Sequence, residues 1–178
     1  LKSKGEYIFY LNSDDYILSN FFGKEMLNCF HRNFDYIIGD VVFFKRPSRK
    51  VKRLWLTNLR EKNIFLNLFY SPYPPHPGFI CKSKYIKELG FETKYQIAAD
   101  YMQMQRIILN NSLVPGLINK PITAMAMGGN SNQISGIKKA HKEVKQINRV
   151  LNIKEFILFR YFRNIIQHIL PIFLNFKL

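Results

Sequence analysis

The chain has 178 residues, of which 47% are apolar, so it can bury one substantial core and is expected to form one domain. A formal net charge of +15 points to anionic partners. The cysteines, Cys29 and Cys81, lie singly in apolar patterns and predict buried reduced thiols, and the first residues lack the apolar stretch of a signal peptide, so a disulfide-built secreted fold is not expected.

The first predicted element is an apolar strand at Tyr7–Leu11, which runs directly into Asn12, Ser13, Asp14 and Asp15. Open α/β sheets place ligands at the carboxyl ends of strands, so the adjacent carboxylates predict a site. Two neighbouring carboxylates repel each other unless a cation lies between them, and hard oxygen donors suit Mg²⁺ or Mn²⁺ better than zinc. The alternative interpretation is an Asx-rich turn before the next helix.

The following segments alternate between helical and strand patterns up to a proline-rich loop. In chain order we predict a helix from about Asn20 to Asn33, strands at Tyr36–Ile38 and Val41–Phe44 separated by Gly39-Asp40, an exposed turn at Arg46–Arg53, a short helix near Glu61–Tyr70 and a loop at Ser71–Pro77. Asp40 is a candidate ligand contact, although Gly-Asp after a strand is also a plain turn signal.

The second half of the chain places another carboxylate at the start of a helix. A strand entered through His76 and Gly78 is followed by a short helix that ends at Gly90, and Asp100 then opens a longer helix. A further strand, Pro121–Met127, runs into Gly128, Gly129 and Ser131.

The order of these segments resembles the family 2 glycosyltransferases, especially bacterial enzymes that build surface polysaccharides. The resemblance runs from about Gly5 to Ser131 and rests on the spacing of five motifs: strand-NSDD, strand-GD, H-x-G-x-F, G-F-x-x-x-Y-x-I-A-A-D-Y and strand-x-GG-x-S. It implies a partial glycosyltransferase A-type fold, an α/β domain with a mostly parallel sheet flanked by helices and with C-terminal amphipathic helices. It also implies a nucleotide-sugar donor, a glycan or lipid-linked acceptor and the addition of single sugars with inversion.

The same resemblance implies roles for individual residues. Asp14 and Asp15 would hold a divalent Mn²⁺ or Mg²⁺ ion against the donor diphosphate, and Asp100 matches the general base that deprotonates the acceptor hydroxyl. Asn12 stands where the family has the first Asp of its motif and contributes no charge. A helix N-cap is the alternative role for Asp100. Donor contacts are implied for Asn12, Ser13, Asp40, Gly128, Gly129 and Ser131, and acceptor contacts for His76 and Gly78.

The family's fold normally begins with βαβ units that hold the base and ribose, upstream of the metal motif. We therefore interpret this chain as part of a longer enzyme. Residues 1–135 would form the metal- and acceptor-binding part, and residues 136–178 a basic and amphipathic helical extension.

The C-terminal segment predicts an amphipathic helix from Ile153 to Leu170, broken by Pro171, with no apolar run long enough to span a bilayer. Aromatic side chains opposite a basic face favour peripheral attachment to the inner, anionic face of a membrane, and hence a cytoplasmic protein. In this interpretation Phe156, Phe159 and Phe162 insert, while Arg160 and Arg163 supply the attraction. An ordinary helix packed on the domain is the alternative.

The basic clusters at Lys45–Arg53 and Lys138–Arg149 allow a different class of function, a nucleic-acid-binding module without catalysis. That alternative gives no role to Asp14, Asp15 and Asp100. We therefore expect a glycosyltransferase with no nucleic-acid partner.

Overall fold

The computed structural model of the protein describes residues 2–18, 23–57, 73–127, 134–154 and 157–173. Its strands are β1 (Tyr7–Phe9), β2 (Tyr16–Ile17), β3 (Tyr36–Lys45), β4 (Lys50–Trp55), β5 (Phe79–Lys82) and β6 (Pro115–Met127). Its helices are α1 (Lys24–His31), α2 (Ser83–Leu89), α3 (Ala99–Ile108), α4 (Ile134–Val150) and α5 (Ile157–Phe173), and a single 3₁₀ turn at His76–Gly78 precedes β5. The helix predicted near Glu61–Tyr70 lies outside the described residues.

One mixed sheet forms the centre of the domain, with strand order β1-β5-β3-β6-β2 and with β4 paired to β3. The predicted α/β class is confirmed, but the prediction of a mostly parallel sheet is wrong for the described strands. Only β3 and β6 run parallel, whereas the other four pairings are antiparallel. Strands β3 and β4 are antiparallel because a tight turn joins them, and a short connection can join only antiparallel neighbours.

Strand β3 is continuous where the sequence predicted two strands. Its pairing with β6 shifts register at Gly39/Asp40 and Asp40/Val41, so Gly-Asp marks an irregularity within the ladder rather than a turn. The predicted exposed turn Arg46–Arg53 is likewise shorter than expected. Residues 46–49 form the turn, and the basic residues that follow belong to β4.

The core lies on both faces of the sheet. Ile38, Phe79 and Cys81 pack with α2 and α3, while Ile37 and Ile80 pack with α1 on the other face. Both cysteines are free and buried, as predicted.

The two C-terminal helices pack on this domain. Ile147 of α4 is buried against the segment that leads into α3, and α5 lies along β4, where Leu170 joins an apolar cluster. The predicted helix break at Pro171 is wrong, since α5 continues to Phe173. Within the described helices, none is long and apolar enough to cross a membrane.

Over residues 161–173 the exposed side of α5 is mainly apolar. Its exposed apolar side chains are Tyr161, Phe162, Ile165, Ile169, Ile172 and Phe173, and the polar Asn164 and His168 are exposed as well. The polar residues Arg163 and Gln167 are buried, beside Leu170 and Pro171. Exposed apolar and buried polar residues in one helix are the reverse of the usual arrangement on a protein surface.

Candidate functional site

The two carboxylates that were predicted to bind a metal lie in the turn after β1 and differ in their exposure to solvent. The backbone N–H of Asp15 donates to the carbonyl of Asn12 at 3.1 Å, which closes the turn between β1 and β2. Asn12 and Ser13 are exposed. The Asp14 side chain is 40% exposed, and its carboxylate lies 4.0 Å from the Arg46 guanidinium.

Asp15, in contrast, is turned inward and is only 8% exposed. Its Oδ1 accepts a hydrogen bond from the backbone N–H of Ala126 at 2.9 Å, near the end of β6. Its Oδ2 is buried and has no hydrogen-bond partner among the described residues. An orphaned carboxylate oxygen and an accessible carboxylate on consecutive residues fit a hard divalent cation, which needs only one or two protein carboxylates when substrate phosphates complete its shell.

The described residues contain no cluster of three or more His, Cys, Asp or Glu side chains that would hold a metal by itself. A cation at Asp14 and Asp15 would therefore be held jointly by the protein and by a phosphate-bearing ligand.

Asp100 and His76, which are 24 residues apart in sequence, are brought together at the N-terminus of α3. Nδ1 of His76 lies 3.1 Å from Oδ2 of Asp100, and the other carboxylate oxygen accepts the backbone N–H of Tyr101 at 2.7 Å. The alternative N-cap role for Asp100 is wrong, since Ala98 occupies the N-cap and Asp100 lies within the first turn. The Asp100 side chain is 35% exposed and can therefore reach a ligand.

The segment that leads into α3 is fixed by a carboxylate from α4. Oε2 of Glu143 accepts the backbone N–H groups of Ile97 and Ala98, each at 2.9 Å, and Oε1 accepts that of Gln96 at 3.2 Å. Burial would raise the pKa of Glu143, but these three hydrogen bonds and the charge of Lys139 outweigh it, so the pKa is lowered. Glu143 thus positions the turn that carries Asp100.

Asp100 and His76 line a cavity of about 600 Å³ between the sheet and the C-terminal helices. Aromatic rings of Trp55, Tyr73 and Tyr161 form much of its wall. A cavity of this size, with aromatic walls and several polar side chains that converge on it, is typical of a site for a small molecule or a sugar unit.

The guanidinium groups of Arg53, which is half-buried, and of Arg163, which is buried, also line the cavity. Arg53 donates from Nε and Nη2 to Oε1 of Gln167, at 3.1 and 2.8 Å, and lies 4.2 Å above the Trp55 ring. Burial lowers the pKa of Arg53 to about 10, and the charge of Arg163 acts in the same direction. Arg163 is 6% exposed, so the prediction that it attracts a membrane surface is wrong.

Two other predicted site residues lie in the core. Asp40 is 5% exposed and accepts the backbone N–H of Thr57 at 2.9 Å; burial raises its pKa to about 7, although this hydrogen bond opposes the rise. Gly78 is buried against β3, where a Cβ atom would lie 2.6 Å from the carbonyl oxygen of Gly39. Neither is part of the described cavity wall, and their ligand contacts remain predictions.

The predicted donor contacts Gly128, Gly129 and Ser131 lie outside the described residues, and so does Phe156. The sequence interpretation missed Arg53, Trp55 and Glu143. A signal was present for Trp55, the single tryptophan of the chain, which follows a basic run, and for Glu143, the one acidic residue in the sequence of α4.

No protein-family model and no curated protein matches this chain. Solved structures do match. The crystal structure of S. aureus TarS residues 1–349 matches with a TM-score of 0.51 and 15% identity, and the match covers 98% of this chain and 49% of the chain in that structure. The crystal structure of the same protein in complex with UDP-GlcNAc has a TM-score of 0.54 and 15% identity, with coverage of 98% and 50%.

The chain therefore spans about half the length of these TarS structures. At this identity the similarity shows the fold alone. TarS is a glycosyltransferase, and the predicted fold class, α/β with a partial glycosyltransferase A-type fold, is confirmed.

Proposed function

We propose that the protein transfers a single sugar, with inversion, from a nucleotide-sugar donor to a hydroxyl group of a glycan or lipid-linked acceptor. The main support is the Asp100–His76 pair at the wall of a cavity of about 600 Å³. The shared fold with TarS, which was crystallised with UDP-GlcNAc, supports a nucleotide-sugar as the donor.

In this proposal Asp100 accepts the proton of the acceptor hydroxyl. The acceptor oxygen then bonds to the anomeric carbon of the donor sugar, and the bond from that carbon to the phosphate oxygen breaks to release the nucleoside diphosphate. With its proton on Nδ1, His76 donates to Oδ2 of Asp100 and orients the carboxylate. A positioned base of this kind contributes about 10²–10⁴-fold in rate.

Asp14 and Asp15 are the residues that we propose to hold Mg²⁺ or Mn²⁺. The accessible carboxylate of Asp14 supports this assignment, and so does the buried Oδ2 of Asp15, which has no hydrogen-bond partner within the described part of the chain. When bound, the cation would offset the negative charge that develops on the leaving diphosphate. In this proposal Arg46, whose guanidinium lies 4.0 Å from the Asp14 carboxylate, contacts the same phosphates.

We also propose that the protein is cytoplasmic and attaches peripherally to the inner, anionic membrane surface. The apolar stripe of α5 supports insertion, with Phe162, Ile165 and Ile169 among its exposed residues. The attraction would come from α4, whose Lys138, Lys139, Lys142, Lys145 and Arg149 are exposed. Apolar insertion adds binding that survives added salt, whereas charge alone gives binding that collapses with it.

The membrane proposal is tested by flotation with vesicles of an anionic phospholipid at low and moderate salt. We expect wild type to remain bound at moderate salt, and Phe162→Ser combined with Ile165→Ser and Ile169→Ser to be released. Leu109→Ser, which removes an exposed apolar side chain elsewhere, is the control. Tight binding to RNA or DNA without retention on vesicles would favour the nucleic-acid-binding alternative.

The transfer reaction is tested with the full-length protein and a panel of nucleotide-sugars, with and without Mn²⁺. We expect one donor to bind in a metal-dependent manner and to be consumed when a glycan acceptor is present. Failure of every nucleotide-sugar to bind would contradict the proposed function.

A further inference from the structure

The loop that carries His76 is rich in proline and therefore poor in backbone donors. Pro74, Pro75 and Pro77 have no N–H group, so the loop cannot fix itself through its own donors as an ordinary turn does. One backbone hydrogen bond closes its end, from the N–H of Gly78 to the carbonyl of Pro75 at 2.8 Å. The other carbonyls of the loop depend on donors from elsewhere in the fold.

Two side chains of the sheet supply such donors on either side of His76. Nε1 of Trp55, on β4, donates to the carbonyl of Tyr73 at 3.0 Å. Oγ1 of Thr123, on β6, donates to the carbonyl of Pro77 at 2.5 Å. These carbonyls lie three residues before and one residue after His76. Because Thr123 is fully buried, water cannot replace its hydroxyl, and the loop is fixed to the sheet at two points that bracket the histidine.

The ring of His76 has a partner on one side. Nδ1 lies 3.1 Å from Oδ2 of Asp100, whereas Nε2 is buried and has no hydrogen-bond partner within the described part of the chain. A neutral imidazole carries one proton, and a hydrogen bond to a carboxylate places that proton on Nδ1. Since no hydrogen bond among the described residues holds the ring at Nε2, its orientation depends on the loop backbone.

We propose that Thr123 and Trp55 are positioning residues that hold this loop so that Nδ1 of His76 meets Oδ2 of Asp100. Thr123 does not line the cavity, so it acts only through the loop. The inference rests on the proposed function, in which this pair deprotonates the acceptor hydroxyl. The pair is then positioned from two sides, because Glu143 fixes the segment that leads to Asp100.

The first measurement is the protonation of the His76 ring in the full-length protein. NMR of ¹⁵N-labelled histidine, above the ordinary histidine pKa of about 6.5, shows which ring nitrogen carries a proton, and His76→Ala identifies the signals. We expect a proton on Nδ1 in wild type and a mixture of both neutral tautomers in Thr123→Val, because the released ring loses its acceptor. A wild-type proton on Nε2 alone, or an unchanged Nδ1 proton in Thr123→Val, would overturn the proposal.

Thr57→Val is the matched control for Thr123→Val. Thr57 is also buried, but its Oγ1 has no hydrogen-bond partner among the residues that the structure describes, so its loss should change neither the His76 signals nor turnover. Thr123→Ser keeps the hydroxyl and should retain the wild-type signals. If Thr123→Val does not fold, Trp55→Phe removes the other donor and keeps an aromatic ring. An unchanged Nδ1 proton in that variant would then overturn the proposal.

Turnover separates positioning from a general loss of stability. With the donor that binds wild type, Thr123→Val should lower kcat by about 10-fold or more and leave the donor KM near wild type, since a displaced catalytic group costs up to about 10²-fold in rate. In a His76→Ala protein the same substitution should have little further effect, because it acts through His76. An equal fall in both backgrounds would overturn the proposal.

Failure of this inference differs from failure of the proposed function. Unchanged His76 signals in Thr123→Val, beside sugar transfer by wild type, would contradict the inference alone. The expected signals in wild type and in Thr123→Val, without sugar transfer from any donor, would contradict only the proposed function.

Discussion

Glu143→Gln should destabilise the protein by removing the anchor of the segment before α3. The carboxylate accepts three backbone N–H groups at 2.9, 2.9 and 3.2 Å, and the residue is 7% exposed. Glutamine has one acceptor oxygen and no charge, so one N–H would face an NH₂ group and the other two bonds would become neutral. Hydrogen bonds to a charged group contribute about 1.5–3 kcal/mol and neutral ones about 0.5–1.5 kcal/mol, so we expect a loss of about 3 kcal/mol.

The effect should depend on pH in a defined direction. The pKa of Glu143 is lowered in the folded state, so the unfolded state binds more protons as the pH falls. The stabilisation is fully present above the ordinary glutamate pKa of about 4.3 and is lost as the pH falls through the lowered folded-state pKa. The free energies of unfolding of wild type and Glu143→Gln should therefore differ most at neutral pH and become similar at acidic pH.

Urea unfolding followed by circular dichroism, from pH 7 down to pH 3, measures the free energy of unfolding and its dependence on pH. For a domain of this size, about 3 kcal/mol corresponds to a fall of about 6–12 °C in the thermal midpoint. Glu88→Gln removes the same charge from an exposed position on α2 and should have little effect. The anchoring role would be refuted if Glu143→Gln were as stable as wild type at pH 7. It would also be refuted if the variant and wild type lost the same free energy of unfolding between pH 7 and pH 3.

Three other substitutions test separate parts of the structure. Asp14→Ala should remove the metal dependence of donor binding, measured by titration with and without EDTA, and an unchanged EDTA response would contradict the metal assignment. Asp40 binds a proton in the folded state up to a pKa of about 7, so wild type should lose on the order of 3 kcal/mol as the pH rises from about 4 to about 7. Asp40→Asn keeps the acceptor for the Thr57 N–H and should abolish this slope in urea unfolding; persistence of the slope would contradict the assignment. Gly78→Ala places a Cβ 2.6 Å from the carbonyl oxygen of Gly39 and should cost about 1–3 kcal/mol, and wild-type stability would contradict this packing.

The local elements could be predicted well from the sequence, because apolar periodicity records which face of a helix or strand is buried. The helices that begin near Lys24 and Ala99 and the strand that begins at Phe79 follow the predicted pattern. Strand direction could not be predicted in this way. The same apolar residues fit a parallel or an antiparallel neighbour, and the pairing depends on which strands meet in space.

Some residues of the candidate site could likewise be predicted from the sequence, and others could not. Asp100 and His76 were each predicted from the motif order, and the structure brings them within 3.1 Å. Arg53 was assigned to a solvated turn because basic runs are usually exposed, but β4 turns its side chain toward Trp55 and α5. Glu143 lies in a helix rich in lysine, and its partners are backbone N–H groups, which carry no sequence signal.

The most direct test of the proposed function is the turnover of Asp100→Asn in the full-length protein, measured with the donor that binds wild type. Asparagine can accept the Tyr101 N–H with its one carbonyl oxygen and donate its NH₂ to Nδ1 of His76 in the other neutral tautomer, so the thermal midpoint and donor affinity should stay close to wild type. It cannot take a proton at neutral pH, so sugar transfer should fall by about 10²–10⁴-fold. A folded Asp100→Asn protein that binds donor and transfers sugar at nearly the wild-type rate would contradict the assignment of Asp100 as the general base.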